Sequence, residues 1–106
     1  MAKFIYLYRG TTPELTPEQG EARGRALAAW IEKLGPALVD VGSPFAGARS
    51  SVRDDGGKGT PGELSGYSIV EADDLAEAEA LTDGLPFLSE RDGKHAVEIF
   101  ELWPME

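Results

Sequence analysis

The sequence predicts an α+β fold in which two helices lie on one face of an antiparallel sheet. Three observations carry that prediction. The chain reads strand, helix, strand, strand, helix, strand, with one extra short strand allowed for. Both helical segments carry start and stop signals. At 106 residues, the chain has room for one core only. The clearest block is Gly66 to Leu102, which reads strand, helix, strand with a defined connection at each step.

Lys3 to Arg9 is rich in aromatic and β-favouring residues. It is apolar on both alternating faces, the pattern of a central strand covered on both sides. Gly10-Thr11-Thr12-Pro13 breaks it. Thr16-Pro17-Glu18-Gln19 then starts a helix: Thr16 caps, Pro17 suits the first helical position, and Gln19 completes a capping box. Leu27, Trp30, Ile31 and Leu34 recur at helical spacing as one apolar stripe. Gly20 and Gly24 are poor helix residues, and are expected to permit close approach wherever they face another element. Gly35-Pro36 ends the helix.

Ala37 to Val41 is a short strand closed by Gly42-Ser43-Pro44. Ser50 to Arg53 is a weaker strand signal, and Asp54 to Gly66 reads as a turn-rich loop. Tyr67 to Ala72 is a strand. Asp73 or Asp74 caps the second helix, with Glu77 placed to reach back. Leu75, Ala78 and Leu81 give this helix a thin stripe, and Gly84 and Pro86 stop it. Asp92-Gly93 is a turn, and His95 to Trp103 is the last strand.

The order β-α-β-β-α-β specifies a ferredoxin-like sandwich, one domain over residues 1–106. Its helices cover only one face of the sheet. Yet the first strand carries Phe4, Tyr6 and Tyr8 on one face and Ile5 and Leu7 on the other. The last carries Val97, Ile99 and Trp103 on one face and Phe100 and Leu102 on the other. A second apolar face calls for a partner, and a two-fold homodimer pairing the sheets is the simplest solution.

Composition excludes several functions. With no cysteine, disulfides, thiolate metal sites and thiol nucleophiles are absent. Ten basic residues against 19 acidic give a net charge of −9, a field that repels nucleic-acid phosphates and anionic lipids. No apolar run approaches a membrane span, and the N-terminus lacks the apolar region of a signal peptide. The expectation is a cytoplasmic protein that binds neither nucleic acid nor membrane.

Gly66 to Leu75 resembles the signature of the YCII-related (YciI-like, DGPF-type) family. So do Ala78, Pro86-Phe87-Leu88, and Val97-Glu98-Ile99 leading to Pro104-Met105, as well as Lys3 to Arg9 and Val41-Gly42-Ser43-Pro44. The similarity spans nearly the whole chain, and its motifs are structural rather than catalytic. It implies a dimeric α/β-barrel of ferredoxin-like subunits. The Asp-Gly-Pro-Phe turn of the DGPF branch is degenerate here, where Asp55 to Leu64 stands. Family resemblance also implies, for enzymatic members, a histidine on the first helix and an aspartate just before the proline that follows the second. The matching positions hold Gly24, flanked by Arg23 and Arg25, and Leu85; the nearest ionisable group to the second is Asp83.

Tyr6, Tyr8 and Tyr67 come from two strands, and adjacent strands can bring their phenols into one pocket with Arg9 or Arg49. Such a cleft would take a small organic acid or phenol; dimer-core packing is the plainer reading. His95 is the one imidazole, able to act as acid or base, or simply to sit at a strand edge. With no cysteine and one histidine, no metal site is expected, and no cofactor. The acidic cluster Asp73, Asp74 and Glu77 reads as a helix cap. Gly56 to Thr60 lacks the spacing and following helix of a phosphate loop. Three functions remain open: a homodimer with a small-molecule pocket and without the dyad; a cofactor-independent enzyme acting on a small aromatic or lactone-like compound; and a regulatory partner protein.

Overall fold

A computed structural model describes residues 1–11 and 14–104. In chain order its elements are β1 (Ala2–Arg9), α1 (Pro17–Leu34), β2 (Leu38–Pro44), β3 (Ser51–Val52), β4 (Lys58–Gly59), β5 (Leu64–Ala72), α2 (Leu75–Ala80) and β6 (Ala96–Glu101). Single 3-10 turns lie at Gly35–Ala37 and Pro86–Leu88. A four-stranded sheet runs in the order β2-β5-β1-β6, with every neighbour antiparallel. This is the ferredoxin-like arrangement, with β1 and β5 central as their apolar sequences require.

Strand alternation sorts the side chains. Phe4 and Tyr6 of β1 and Val70 and Ala72 of β5 are fully buried beneath the helices. Trp30 and Leu34 of α1, Ala78 of α2 and Leu85 complete the core. Each large apolar side chain buried here contributes about 1.5–3 kcal/mol. Two polar groups of the core are satisfied: the Tyr6 hydroxyl donates to the Ala78 carbonyl, and Trp30 Nε1 donates to the Leu81 carbonyl at 2.9 Å. Together these two bonds fasten α2 and its C-terminal turn to both β1 and α1.

The helix signals operate as the sequence indicates. Thr16 Oγ1 accepts from the Gln19 amide at 3.2 Å, and Gln19 Oε1 accepts from the Thr16 amide at 2.9 Å. Asp74, rather than Asp73, caps α2, accepting from the Glu77 amide at 2.8 Å; Glu77 reaches back to the Asp73 amide at 3.0 Å. Gly42 shows why β2 needs a glycine. Its φ is +77°, and a Cβ there would lie 1.7 Å from the Tyr67 carbonyl oxygen.

Three expectations change. Gly20 and Gly24 serve no close approach, since among the described residues nothing lies within 4 Å of a Cβ built at either. Part of the expected loop after Asp54 forms a hairpin instead, in which Lys58–Gly59 pairs with Ser51–Val52. Trp103 lies beyond the last strand and is 85% exposed. The cause is the length of the neighbouring strand: Leu102 donates to the Lys3 carbonyl at 2.8 Å, and β1 begins only one residue earlier.

Both helices lie on the Phe4/Tyr6 face. On the opposite face, Ile5, Leu7 and Ile69 are part-buried and Phe100 is 56% exposed. Among the described residues, no helix is long and apolar enough to cross a membrane.

Candidate functional site

Helix α1 is anchored through its C-terminal half, where Trp30 and Leu34 enter the core. Toward its N-terminus it loses that grip: Leu27 is 39% exposed, and among the described residues nothing lies within 4 Å of a Cβ built at Gly24 or Gly20. The wedge left between α1, β2, β5 and the Pro86–Leu88 turn is a cavity of about 270 Å³. Leu27, Leu85, Pro86 and Phe87 give it an apolar wall, and Val41 to Pro44 and Ser65 to Ser68 form the sheet side. Tyr8 and Arg23 complete the lining.

The polar groups at this cavity form a directed chain. The Tyr8 hydroxyl donates to Ser68 Oγ at 2.7 Å, and Ser68 Oγ donates to the Val41 carbonyl at 2.7 Å. Ser65 Oγ donates to the Tyr8 carbonyl at 3.2 Å. Burial raises the Tyr8 pKa above the ordinary phenol value, with the Ser68 bond opposing part of the shift. Tyr8 is therefore a neutral phenol at neutral pH. It can hydrogen-bond a ligand, but it is not poised to remove a proton.

The other expected site residues scatter. Tyr6 belongs to the core, and burial with the neighbouring Tyr8 pushes its pKa up to about 12. Tyr67 borders the cavity, but alternation along β5 turns its ring to the other sheet face, where it stacks on Phe45 with centroids 6.0 Å apart. Arg9 also lies on that other face, paired with Glu98 at 2.8 Å. Arg49 pins a loop, donating to the Leu64 carbonyl at 3.0 Å and the Ala46 carbonyl at 3.2 Å. Asp83 is exposed and pairs with Lys33 at 3.4 Å. It borders a wider, open groove of about 770 Å³ between α1 and the segment 79–91, which shares Arg23, Leu85 and Pro86 with the smaller cavity. That groove is larger, but its lining is charged and solvent-facing, whereas the smaller cavity has an apolar wall and convergent polar groups.

His95 stands behind the cavity. Its side chain is only 10% exposed. Nε2 lies 2.8 Å from the Thr11 carbonyl, which can only accept, so Nε2 carries a proton. Nδ1 faces Asp92 at 3.4 Å. The imidazole meets Phe87 edge-on at 5.1 Å, and Phe87 packs on Tyr8 at 5.2 Å. His95 thus buttresses the ring that buttresses Tyr8. The Lys94 backbone amide, and then His95, hold the Asp92 carboxyl below its usual pKa.

Two lining residues were not among the site candidates expected from the sequence, although each left a signal there. Arg23 continues the stripe of Leu27, Trp30 and Leu34 at helical spacing, a charge on an otherwise apolar face. Ser68 alternates with Gly66, Val70 and Ala72 on the buried face of a central strand, and is itself 2% exposed. Among the described residues, no cluster of three histidine, aspartate or glutamate side chains could hold a metal ion. At 270 Å³ the cavity is below the usual range for drug-sized ligands, and matches a single ring.

Comparison with known proteins agrees with this architecture. The chain is similar to the solved structure of the 5-chloro-2-hydroxyhydroquinone dehydrochlorinase (TftG) from Burkholderia phenoliruptrix AC1100 in complex with 2,5-dihydroxybenzoquinone. The TM-score is 0.53 at 23% identity, covering 100% of this chain and 96% of that one, a likeness of fold. No curated protein matches. The model of the YCII-related domain matches residues 10–105, almost the whole sequence. The chain therefore belongs to the YCII-related family.

Proposed function

We propose that the protein is a homodimer that binds one small planar, hydroxylated ring in the cavity beneath α1 and lacks its relatives' acid–base dyad. The observation that carries this reading is the cavity itself, whose apolar wall faces the hydrogen-bonded chain from Tyr8 through Ser68 to the Val41 carbonyl. Its volume suits one ring rather than a nucleotide-sized cofactor. The dihydroxybenzoquinone in the related enzyme's structure is of that size class.

Two positions support the reading that the dyad is missing. Leu85, where the family resemblance implies an aspartate, is 5% exposed and lines the cavity with methyl groups. Gly24, where it implies a histidine, is exposed and outside the lining. Burial keeps Tyr8 protonated, so it does not replace the lost base. The dimer is supported by Ile5, Leu7, Ile69 and Phe100, an apolar set on the face that no helix covers.

The test offers the protein the related enzyme's named substrate, 5-chloro-2-hydroxyhydroquinone, and follows both binding and chloride release. Saturable binding without catalytic chloride release is expected. Turnover by the wild-type chain would overturn the loss of the dyad. Light scattering should give twice the 11.4 kDa chain mass; a monomer at micromolar concentration refutes the dimer.

A further inference from the structure

We infer that the ligand is an anion, a hydroxyaryl carboxylate whose carboxylate pairs with Arg23 and whose hydroxyl donates to Tyr8 Oη. This rests on the cavity being a ligand site, and adds the chemical class of what occupies it.

Among the described residues, Arg23 is the one charged residue lining the cavity and no carboxylate lines it; Arg23 also borders the outer groove, where Glu79, Asp83 and Glu90 lie. It is half-buried, and among the described residues it makes no hydrogen bond or ion pair. The other arginines differ. Arg9, Arg49 and Arg53 each engage an acceptor of the protein itself, and Arg25 and Arg91 are exposed to water. A guanidinium cannot shed its proton, so a partly desolvated one without a partner carries an uncompensated cost. A ligand carboxylate would offset that cost with two parallel hydrogen bonds. The chain carries a net charge of −9, so its overall field gives an anion no help in binding. Recognition of an anion must then come from a local cation, and Arg23 is the cation at this site.

The second contact follows from the direction of the hydrogen bonds. Tyr8 gives its proton to Ser68, and Ser68 gives its own to Val41. The protons run away from the cavity, which leaves a lone pair of Tyr8 Oη as the group available to a ligand. An acceptor there selects a donor, and the ring hydroxyl supplies it. Leu27, Leu85 and Phe87 flank the space between and suit a flat apolar ring.

Calorimetric titration of the wild type at neutral pH and low salt with para-hydroxybenzoate, benzoate and phenol tests this. Para-hydroxybenzoate should bind at least about tenfold more tightly than phenol, the size of one charge-assisted interaction. In Arg23→Gln that ratio should fall to near one, and Arg23→Lys should keep part of it. In Tyr8→Phe, para-hydroxybenzoate should bind no better than benzoate. Equal wild-type affinity for phenol and para-hydroxybenzoate would overturn the inference and leave the ring site standing. A preference that survives in a folded Arg23→Gln protein would overturn it as well. If none of the three compounds binds the wild type, the ring site and the inference fall together.

Discussion

Replacing Ser68 by alanine should destabilise the protein by about 2 kcal/mol, and should do so through its two hydrogen bonds rather than through packing. Ser68 is 2% exposed; its Oγ accepts from Tyr8 at 2.7 Å and donates to the Val41 carbonyl at 2.7 Å. Each bond is worth about 1 kcal/mol net, and a sealed orphan group costs a further 1–3 kcal/mol. That further cost is largely avoided for Tyr8, whose ring borders the cavity, so its hydroxyl can turn to water there. The expected loss corresponds to a fall of roughly 10 °C in Tm for a chain of this length. Urea unfolding of wild type, Ser68→Ala, Tyr8→Phe and the double variant, at one fixed protomer concentration, measures it. The double-variant cycle should return a coupling of about 1 kcal/mol between Tyr8 and Ser68. A Ser68→Ala cost below about 0.5 kcal/mol, or strictly additive variants, would refute the directed chain on which the reading of Tyr8 depends.

Three further outcomes are expected. Gly24→Ala should stabilise the protein by about 0.5–1 kcal/mol, because the helical position is open and nothing lies within 4 Å of the added Cβ. Gly42→Ala should cost well over about 2 kcal/mol, since its Cβ would strike the Tyr67 carbonyl; chemical denaturation compares the two. Trp30→Phe should lose about 1–3 kcal/mol by leaving the Leu81 carbonyl without its donor, and thermal unfolding reads it. The tyrosines set an alkaline limit. The folded pKa values of Tyr6, about 12, and of Tyr8, raised above 10, exceed the unfolded phenol value near 10. The stability they confer is therefore complete below pH 10 and is lost as pH climbs toward 12. A denaturation midpoint that stays flat across that interval contradicts their burial as neutral phenols.

The fold was legible because each local signal agrees with the global arrangement. The capping box at Thr16 and the two-faced pattern of Lys3 to Arg9 each specify one element and its place. The site was less legible. Alternation sorts the residues of each strand into two faces, but only the register of β1 with β5, which sets Tyr67 opposite Leu7, shows that Tyr67 and Tyr8 lie on opposite faces. Arg49 and Arg9 look free in the sequence because their acceptors, the Leu64 carbonyl and Glu98, lie far along the chain. Arg23 enters the sequence reading only as a neighbour of Gly24, although its spacing from Leu27 and Trp30 puts it on the inward stripe. The hairpin of β3 and β4 has only two residues per strand, too few for an alternation to register.

On the function proposed above, the cavity beneath α1 is where this protein meets a ligand. Amide NMR shift mapping during titration with para-hydroxybenzoate tests it most directly. Saturable amide shifts are expected at Arg23, Leu27, Gly66 to Ser68, Leu85 and Phe87. Shifts centred on the Phe45, Arg49 and Pro61 depression or on the outer groove beside Asp83, or no saturable shifts at all, would contradict it.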